Sequence, residues 1–311
     1  MKICIIYGGT SRERDISILS AKSILNVFAD NKDIFGYDFD GNYNNLLENI
    51  KGVDLVFNSL HGGDGENGVI QKFFEDNNIN FTGSGSKSSE KAMDKHLTKK
   101  ICYENEILTP NWLHYEKTMR VFQFELELLR FYDKDIVVKP SNEGSSLGLS
   151  IIKNFSPDNS KKRQELDSSV LQCHEVSKNI IIEEYIEGRE ITVGILGDKV
   201  FPILEIQPVN KFYDYECKYT KGKSKYIVPA ENIDKKLEDD IVKTAIKIYG
   251  LLDCRHYARV DFRLSKNNNL YLLEVNTLPG FTDTSLFPMA AKSIGISYRN
   301  LLLEIINMSK K

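Results

Sequence analysis

Two carboxylates, an amide and an arginine near the C-terminus fall at spacings that suit metal and phosphate chemistry. Residues 258–262 (ARVDF) and 271–276 (YLLEVN) alternate apolar and polar side chains around the polar run 265–269 (SKNNN), which reads as a β-hairpin. With Asn267 and Asn268 as a two-residue loop, Asp261 lies opposite Glu274 and Arg259 opposite Asn276. Side chains alternate along a strand, so these four share one face, and the other carries Val260 against Val275 and Phe262 against Leu273. Opposed β-carbons lie about 4.5–5.5 Å apart, where like charges are destabilising. Asp261 and Glu274 are therefore expected to need a cation between them. Carboxylates with an amide oxygen are hard ligands that suit Mg²⁺ or Mn²⁺ rather than zinc. Two such ions roughly 3.5–4 Å apart would let a phosphate bridge them. A solvated acidic hairpin face is the plainer alternative. Arg259 as a fixed positive charge, and Gly280 after Pro279, where a backbone N–H can approach a ligand closely, favour a site.

Other stretches could meet the rest of a phosphorylated ligand. Residues 139–148 (KPSNEGSSLG) put a lysine at a strand end before a Gly/Ser loop and another strand, so the segment is a flap or an ordinary hairpin. The phosphate-loop pattern G-x-x-x-x-G-K-[ST] is absent. Donors in such a flap can wrap a polyphosphate, with Lys139 as the point charge. Residues 180–196 read as two strands crossing at Gly188, either a domain hinge or a crossing that offers backbone groups to an adenine edge and Glu190 to ribose hydroxyls. Residues 207–226 are rich in tyrosine and lysine without periodicity, as a lid would be. Residues 61–68 (HGGDGENG) and the loop 8–15 follow strands, but neither carries a complete dinucleotide fingerprint.

The positioning elements follow from periodicity. Strands at 3–7, 36–39 and 55–58 alternate with helices at 16–28, capped by Asp15, at 46–50 and at 69–76, which implies a parallel sheet covered on both faces. A basic helix at 91–105 holds Lys95, and a boundary is expected at 83–86. Further strands are expected at 111–115, 135–139 and 149–153, and helices at 123–130, 156–173, 237–249 and 297–308. The 311 residues exceed what one core usually serves, so two or three domains are expected. With 41 basic and 44 acidic residues, the net charge of −3 gives no electrostatic case for nucleic acid or a membrane surface. Five scattered cysteines without a C-x-x-C suit a reducing cytosol. The apolar run at the N-terminus is too short for a signal peptide, and no run is long enough to span a membrane.

Taken in order and spacing, these stretches resemble the D-alanine–D-alanine ligase family of the ATP-grasp superfamily over nearly the whole chain. The matching residues are 8–11 (GGTS) with Ser17, 61–68, 93–95 (MDK), 139–146, Glu183, Glu190, 213–219 (YDYECKY), 259–261 (RVD) and 274–286 (EVNTLPGFTDTSL). The resemblance implies an α/β and α+β chain. An N-terminal parallel-sheet α/β substrate domain (1–86) precedes a two-part ATP-grasp fold, central (87–180) and C-terminal (181–311), the latter with the metal site and lid. It implies that Lys95 and Lys139 meet the nucleotide's phosphates, that Lys218 reaches inward from the lid as a further nucleotide-binding residue, and that Glu183, Tyr185, Ile186 and Glu190 surround the adenosine. Asp261, Glu274 and Asn276 would hold two Mg²⁺ or Mn²⁺ ions. His61 and Glu66 would line the first substrate pocket, and Ser285 and Leu286 would hold the second substrate's carboxylate. Asp15, Ser145, Tyr219, Arg259 and Gly280 would be catalytic.

The implied reaction joins two D-alanines through an acyl phosphate at the expense of ATP, for peptidoglycan, in the cytoplasm and as a homodimer. A relative using D-serine or D-lactate second is the alternative. Four positions depart from the family pattern. Asp15 stands where a glutamate is usual and is shorter by about 1.5 Å, so the loop must come closer or Glu13 must substitute. The others are Glu184 for lysine, His256 for glycine and Lys72 for a small residue.

Overall fold

The computed structural model describes residues 1–116, 118–145, 147–208 and 224–310. The first apolar run forms β1 (Ile3–Gly8), which pairs in parallel with β2 (Ile34–Phe39) and β3 (Leu55–Asn58) in the order β2-β1-β3. Ile3 and Ile5 on one face pack with Ala21 and Ile24 of α1 (Arg14–Val27). Cys4 and Ile6 on the other pack with Leu46 of α2 (Tyr43–Asn49) and with Ile70 and Phe74 of α3 (Val69–Asp76). A parallel sheet covered on both faces needs such near-continuous apolar strands.

A second sheet is four-stranded and antiparallel, in the order β4 (Trp112–Glu116), β7 (Asn179–Glu184), β5 (Lys134–Pro140), β6 (Ser150–Phe155). Its core draws on α6 (Val121–Leu128) through Leu128 and on α7 (Ser160–His174) through Leu166 and Cys173. A third, six-stranded sheet runs β11 (Ser224–Ile227), β10 (Leu204–Pro208), β8 (Gly188–Leu196), β12 (Tyr257–Ser265), β13 (Leu270–Asn276), with β9 (Lys199–Val200) paired to β8. Ile241, Ala245 and Ile248 of α8 (Lys235–Leu251) bury against it. Residues 207, 208, 224 and 225, expected within the lid loop, pair as the ends of β10 and β11. The remaining lid positions, 209–223, with Lys218 and Tyr219 among them, lie outside the described residues.

The basic stretch expected as one helix is two, α4 (Ser86–Met93) and α5 (Lys95–Glu104). Asp94 between them takes an extended conformation, and its Oδ1 accepts from His96 N at 2.9 Å and Leu97 N at 3.3 Å. A capping aspartate of this kind fixes where a helix starts, which makes Lys95 the first residue of α5. Ala92 of α4 and Cys102 of α5 join the core of the six-stranded sheet. A further core mixes the N-terminal sheet with Tyr257, Phe281 and Phe287, and with Leu301 and Ile305 of α10 (Tyr298–Met308).

His256 occupies the junction of these parts. Its φ of +63° lies in the left-handed region, where a glycine carries no steric penalty and a side chain does. The strain is offset by contacts: Nδ1 accepts from Gly83 N at 3.1 Å and lies 3.0 Å from Ser309 Oγ. Burial, with Arg255 beside it, lowers its pKa from 6.5 to about 4. A histidine held neutral in the folded protein contributes stability that is complete above pH 6.5 and is lost as pH falls through about 4. The urea-unfolding midpoint should therefore drop across that window. His256→Gly, which suits the backbone conformation, should flatten the drop, and a variant with the wild-type slope would refute the assignment.

Candidate active site

The β12–β13 ribbon places the expected carboxylates as expected, by a different route. The turn is residues 266–268, closed by Ser265 N to Asn269 O at 3.0 Å and Asn268 N to Ser265 O at 2.9 Å, with Asn268 at φ +59°. This three-residue loop pairs Leu264 with Leu270 and Phe262 with Leu272, not Leu273. A bulge then restores the expected register, Asp261 opposite Glu274 and Arg259 opposite Asn276. The extra residue is Leu273, which the bulge turns into the cleft beside Glu274. Val260, Phe262 and Val275 on the far face are buried.

The acidic pair has partners of its own, so no cation is needed between the two residues for the ribbon to form. Arg259 grips Asp261 with two nitrogens, Nε to Oδ1 at 2.9 Å and Nη2 to Oδ2 at 2.7 Å, and Thr192 Oγ1 donates to Oδ1 at 2.5 Å. Lys95 Nζ lies 3.1 Å from Glu274 Oε2 and donates to Glu143 O at 2.8 Å. Asn276 Oδ1 accepts from Leu278 N at 3.0 Å, which folds the following turn back over the ribbon. A Cβ at Gly280 would stand 2.8 Å from Ser285 Oγ, so any larger residue there would displace the serine hydroxyl from the cavity wall. Ser285 begins α9 (Leu286–Ser293), and its Oγ accepts from Thr282 N at 3.1 Å.

A cavity of about 480 Å³ brings together Glu13, His61, Glu66, Arg259, Glu274 and Ser285, and Asp261, Asn276, Gly280, Ser145 and Leu286 also line it. Asp15 does not. It is exposed in the first turn of α1, and Glu13, 5% exposed, stands at the N-cap position facing the cavity. Ser145 Oγ donates to Glu13 Oε1. Glu13, not Asp15, therefore holds the N-cap position of α1, without a side-chain capping hydrogen bond, and is the carboxylate that lines the cavity. The cause is helical phase: the buried face of α1 runs through Ser17, Ser20, Ala21 and Ile24, and Glu13 extends it by one turn. The same periodicity read along the sequence could have found Glu13. His61 is buried, with Nδ1 3.3 Å from Glu66 Oε1 and Nε2 3.2 Å from Ser20 Oγ. Ser11 Oγ donates to His61 O, and Gly62 N donates to Glu66 Oε1 at 3.1 Å.

A smaller cavity of about 100 Å³ adjoins the first and shares Lys95, Gly144, Glu190, Leu273 and Glu274 with it. Lys139, Glu183, Tyr185 and Ile186 line it too. Lys139 Nζ lies 2.5 Å from Glu183 Oε1, and the fully buried Lys99 Nζ lies 2.8 Å from Glu183 Oε2, off the line of a hydrogen bond. Burial alone would raise the Glu183 carboxyl, but Lys139 and Lys99 hold it below the usual carboxylate range. Arg263 ties the crossing between β7 and β8 together. It donates to Ile186 O at 3.1 Å and Tyr185 Oη at 3.1 Å, and meets Glu190 Oε2 at 3.2 Å. Glu184, a departure from the family pattern, is turned to Lys134 at 3.1 Å and Asn111 Nδ2 at 3.1 Å. Lys72 pairs with Asp76 on the surface of α3. Sequence reading missed Lys99, although it sits one turn after Lys95 on the buried face of α5.

Two antiparallel sheets that bring lysines from one side and a carboxylate ribbon from the other to adjoining cavities define an ATP-grasp enzyme. Residues 112–307 match the family model described as the C-terminus of D-ala D-ala ligase. The D-alanine–D-alanine ligase of Carboxydothermus hydrogenoformans is 38% identical over 315 residues, covering 98% of this chain and 97% of that protein. The structure also resembles two solved structures. With the Bacillus anthracis D-alanine–D-alanine ligase complexed with ATP, the TM-score is 0.83 at 32% identity, covering 99% of this chain and 97% of that one. With the VanG D-Ala:D-Ser ligase of Enterococcus faecalis, it is 0.82 at 30% identity, covering 99% of each. The chain belongs to the D-alanine–D-alanine ligase family.

Proposed function

We propose that the protein joins two D-alanines to D-alanyl-D-alanine, with ATP converted to ADP and phosphate. The observation that carries this reading is the shared lining of the two cavities. Glu274 and Lys95 face both, so a phosphate chain from the smaller cavity meets a substrate carboxylate in the larger at the β12–β13 ribbon. Glu13, His61 and Glu66 form the first substrate's end, with the Glu13 carboxylate for its ammonium group. Ser285 Oγ and the Leu286 N–H at the start of α9 receive the second substrate's carboxylate.

The first D-alanine carboxylate oxygen attacks the γ-phosphorus of ATP, the bond to the β-phosphate oxygen breaks, and ADP leaves. The neutral amine of the second D-alanine then attacks the acyl carbon, the carbon–oxygen bond to phosphate breaks, and the departing phosphate takes up the proton that the amine releases. Lys95 and Lys139 offset the repulsion between anions in the first step. Arg259 and the Gly280 N–H hold the developing oxyanion in the second, a role in which one donor is worth about 10²–10³ in rate. Tyr185, Ile186, Glu183 and Glu190 surround the adenosine.

Asp261, Glu274 and the Asn276 amide are an all-oxygen set on one face of the ribbon, which fits Mg²⁺ or Mn²⁺. Among the described residues no group of three or more His, Cys, Asp or Glu offers a rival metal site. Two such ions, when bound, supply positive charge to the phosphates. Lys218 and Tyr219, and the closing of residues 207–226 over the acyl phosphate to exclude water, belong to the same proposal. So do the division at residues 86 and 180, a homodimer, and a cytoplasmic role in peptidoglycan synthesis. Among the described residues no helix is long and apolar enough to cross a membrane.

The test is ADP release with D-alanine, D-serine and D-lactate, with products identified by mass spectrometry. Release with D-alanine alone and a D-alanyl-D-alanine product is expected, and no release with any of the three would reject the ligase reading. Removing the Glu13 charge in Glu13→Gln should raise the KM for D-alanine about 10–100-fold, the worth of a hydrogen bond to a charged group. Asp15→Asn should stay within about twofold, as exposed charges do, and the reverse ranking would restore Asp15 to the site. Glu274→Gln should lower turnover about 10²-fold or more with the fold intact by circular dichroism. Near-normal turnover in that variant would remove Glu274 from the metal site.

A further inference from the structure

Lys99 is the most deeply buried charged side chain of the nucleotide cavity's surroundings, and the reaction as proposed makes no use of it. It is 0% exposed. Its Nζ donates to Thr109 Oγ1 at 2.9 Å and Pro110 O at 3.2 Å and lies 5.6 Å from the centre of the Trp112 ring. Its ionic partner is Glu183 Oε2 at 2.8 Å, and the other oxygen of that carboxylate meets Lys139 Nζ at 2.5 Å. One buried carboxylate is therefore shared between two ammonium groups, and the trio carries a net charge of one positive unit. Burial lowers the Lys99 pKa to about 8, against the pull of Glu183, so the group is charged at neutral pH.

The consequence follows from charge arithmetic. Without Lys99, Glu183 and Lys139 would form a neutral buried pair. Lys139 could reach a phosphate only by leaving a buried carboxylate uncompensated, which is strongly unfavourable. With Lys99 in place, Glu183 stays neutralised from behind when Lys139 turns outward. We propose that Lys99 is a positioning residue for nucleotide binding: it holds Glu183 so that the charge of Lys139 remains available to the phosphates of ATP. This rests on reading the cavity beside Lys139 as the ATP site.

Calorimetric titration of the full chain with ATP separates the two claims without relying on turnover. Wild-type protein that binds no ATP would end the reading of the cavity itself. Given wild-type binding, Lys99→Met should weaken ATP about tenfold or more, because the trio loses its net charge. In a Glu183→Gln background, which sets its own reference affinity because Glu183 also lines the cavity, the same Lys99→Met change should cost no more than about threefold, because Lys139 is then free of its carboxylate. A merely structural lysine gives the opposite pattern, Lys99→Met weakening ATP equally in both backgrounds, and that result overturns the proposal. So does a Lys99→Met protein with wild-type affinity. Should Lys99→Met fail to fold, the double variant, in which an apolar side chain faces a neutral amide, carries the test, and loss of ATP binding by the folded double variant relative to Glu183→Gln is the refuting result.

Discussion

The cleft depends on one constraint: carboxylates placed close together under partial burial must each be matched by positive charge before any ligand arrives. Asp261 and Glu274 oppose each other across a ribbon whose other face is the core of the six-stranded sheet. Their register cannot slip without turning Val260 and Val275 outward. The matching is local. Arg259 reaches along its own strand to Asp261, and Lys95 reaches across from the start of α5 to Glu274. The second contact requires Asp94 to end one helix and begin the next, because only that break sets Lys95 at a helix start facing the ribbon.

The same logic extends to the lysines of the smaller cavity and to the fold around it. Glu183 lies between Lys139 on the neighbouring strand and Lys99 on α5, so a single carboxylate couples the four-stranded sheet to a helix packed on the six-stranded one. Arg263 couples the sheets a second time by holding the crossing between β7 and β8 against β12. The N-terminal sheet is joined to the rest through a shared apolar core and through His256, whose strained backbone brings its ring to Gly83 and Ser309. The cleft is thus a junction whose walls come from three sheets, which is why Glu13 and Ser285, 272 positions apart in sequence, line one cavity.

Much of this is legible in the sequence where one physical rule dominates. The parallel N-terminal sheet follows from apolar runs separated by helical patterns, and the opposition of Asp261 and Glu274 follows from alternation across a turn. The routes were less legible. The turn after Ser265 takes three residues because Asn268 tolerates a left-handed conformation, and the bulge at Leu273 compensates. The two deviations cancel at the carboxylates, so Asp261 faces Glu274 as simple alternation across a two-residue turn would also have it. Position within the motif points to Asp15, whereas helical phase points to Glu13, which continues the buried face of α1. Lys99 was hidden because its type predicts solvent, and only the helix face shared with Lys95 and Cys102 tells of its burial.

Charge matching also bears on how a nucleotide would be received. Among the described residues, the cations of the two cavities are each held by a carboxylate: Lys95 by Glu274, Lys139 by Glu183 and Arg259 by Asp261. Such pairs keep long side chains ordered, so less rotamer freedom remains to be lost on binding. They also make binding an exchange of partners rather than a new burial of charge. On the proposed reading, polyphosphate brings negative charge to the lysines while divalent ions bring positive charge to Asp261 and Glu274, and neither set is left uncompensated. Polyphosphate without the ions would strip the lysines from their carboxylates and leave these exposed to one another. The ions without polyphosphate would crowd Lys95 and Arg259. The opposed carboxylates of the ribbon thus favour nucleotide and metal arriving together, a coupling that follows from the register of two strands.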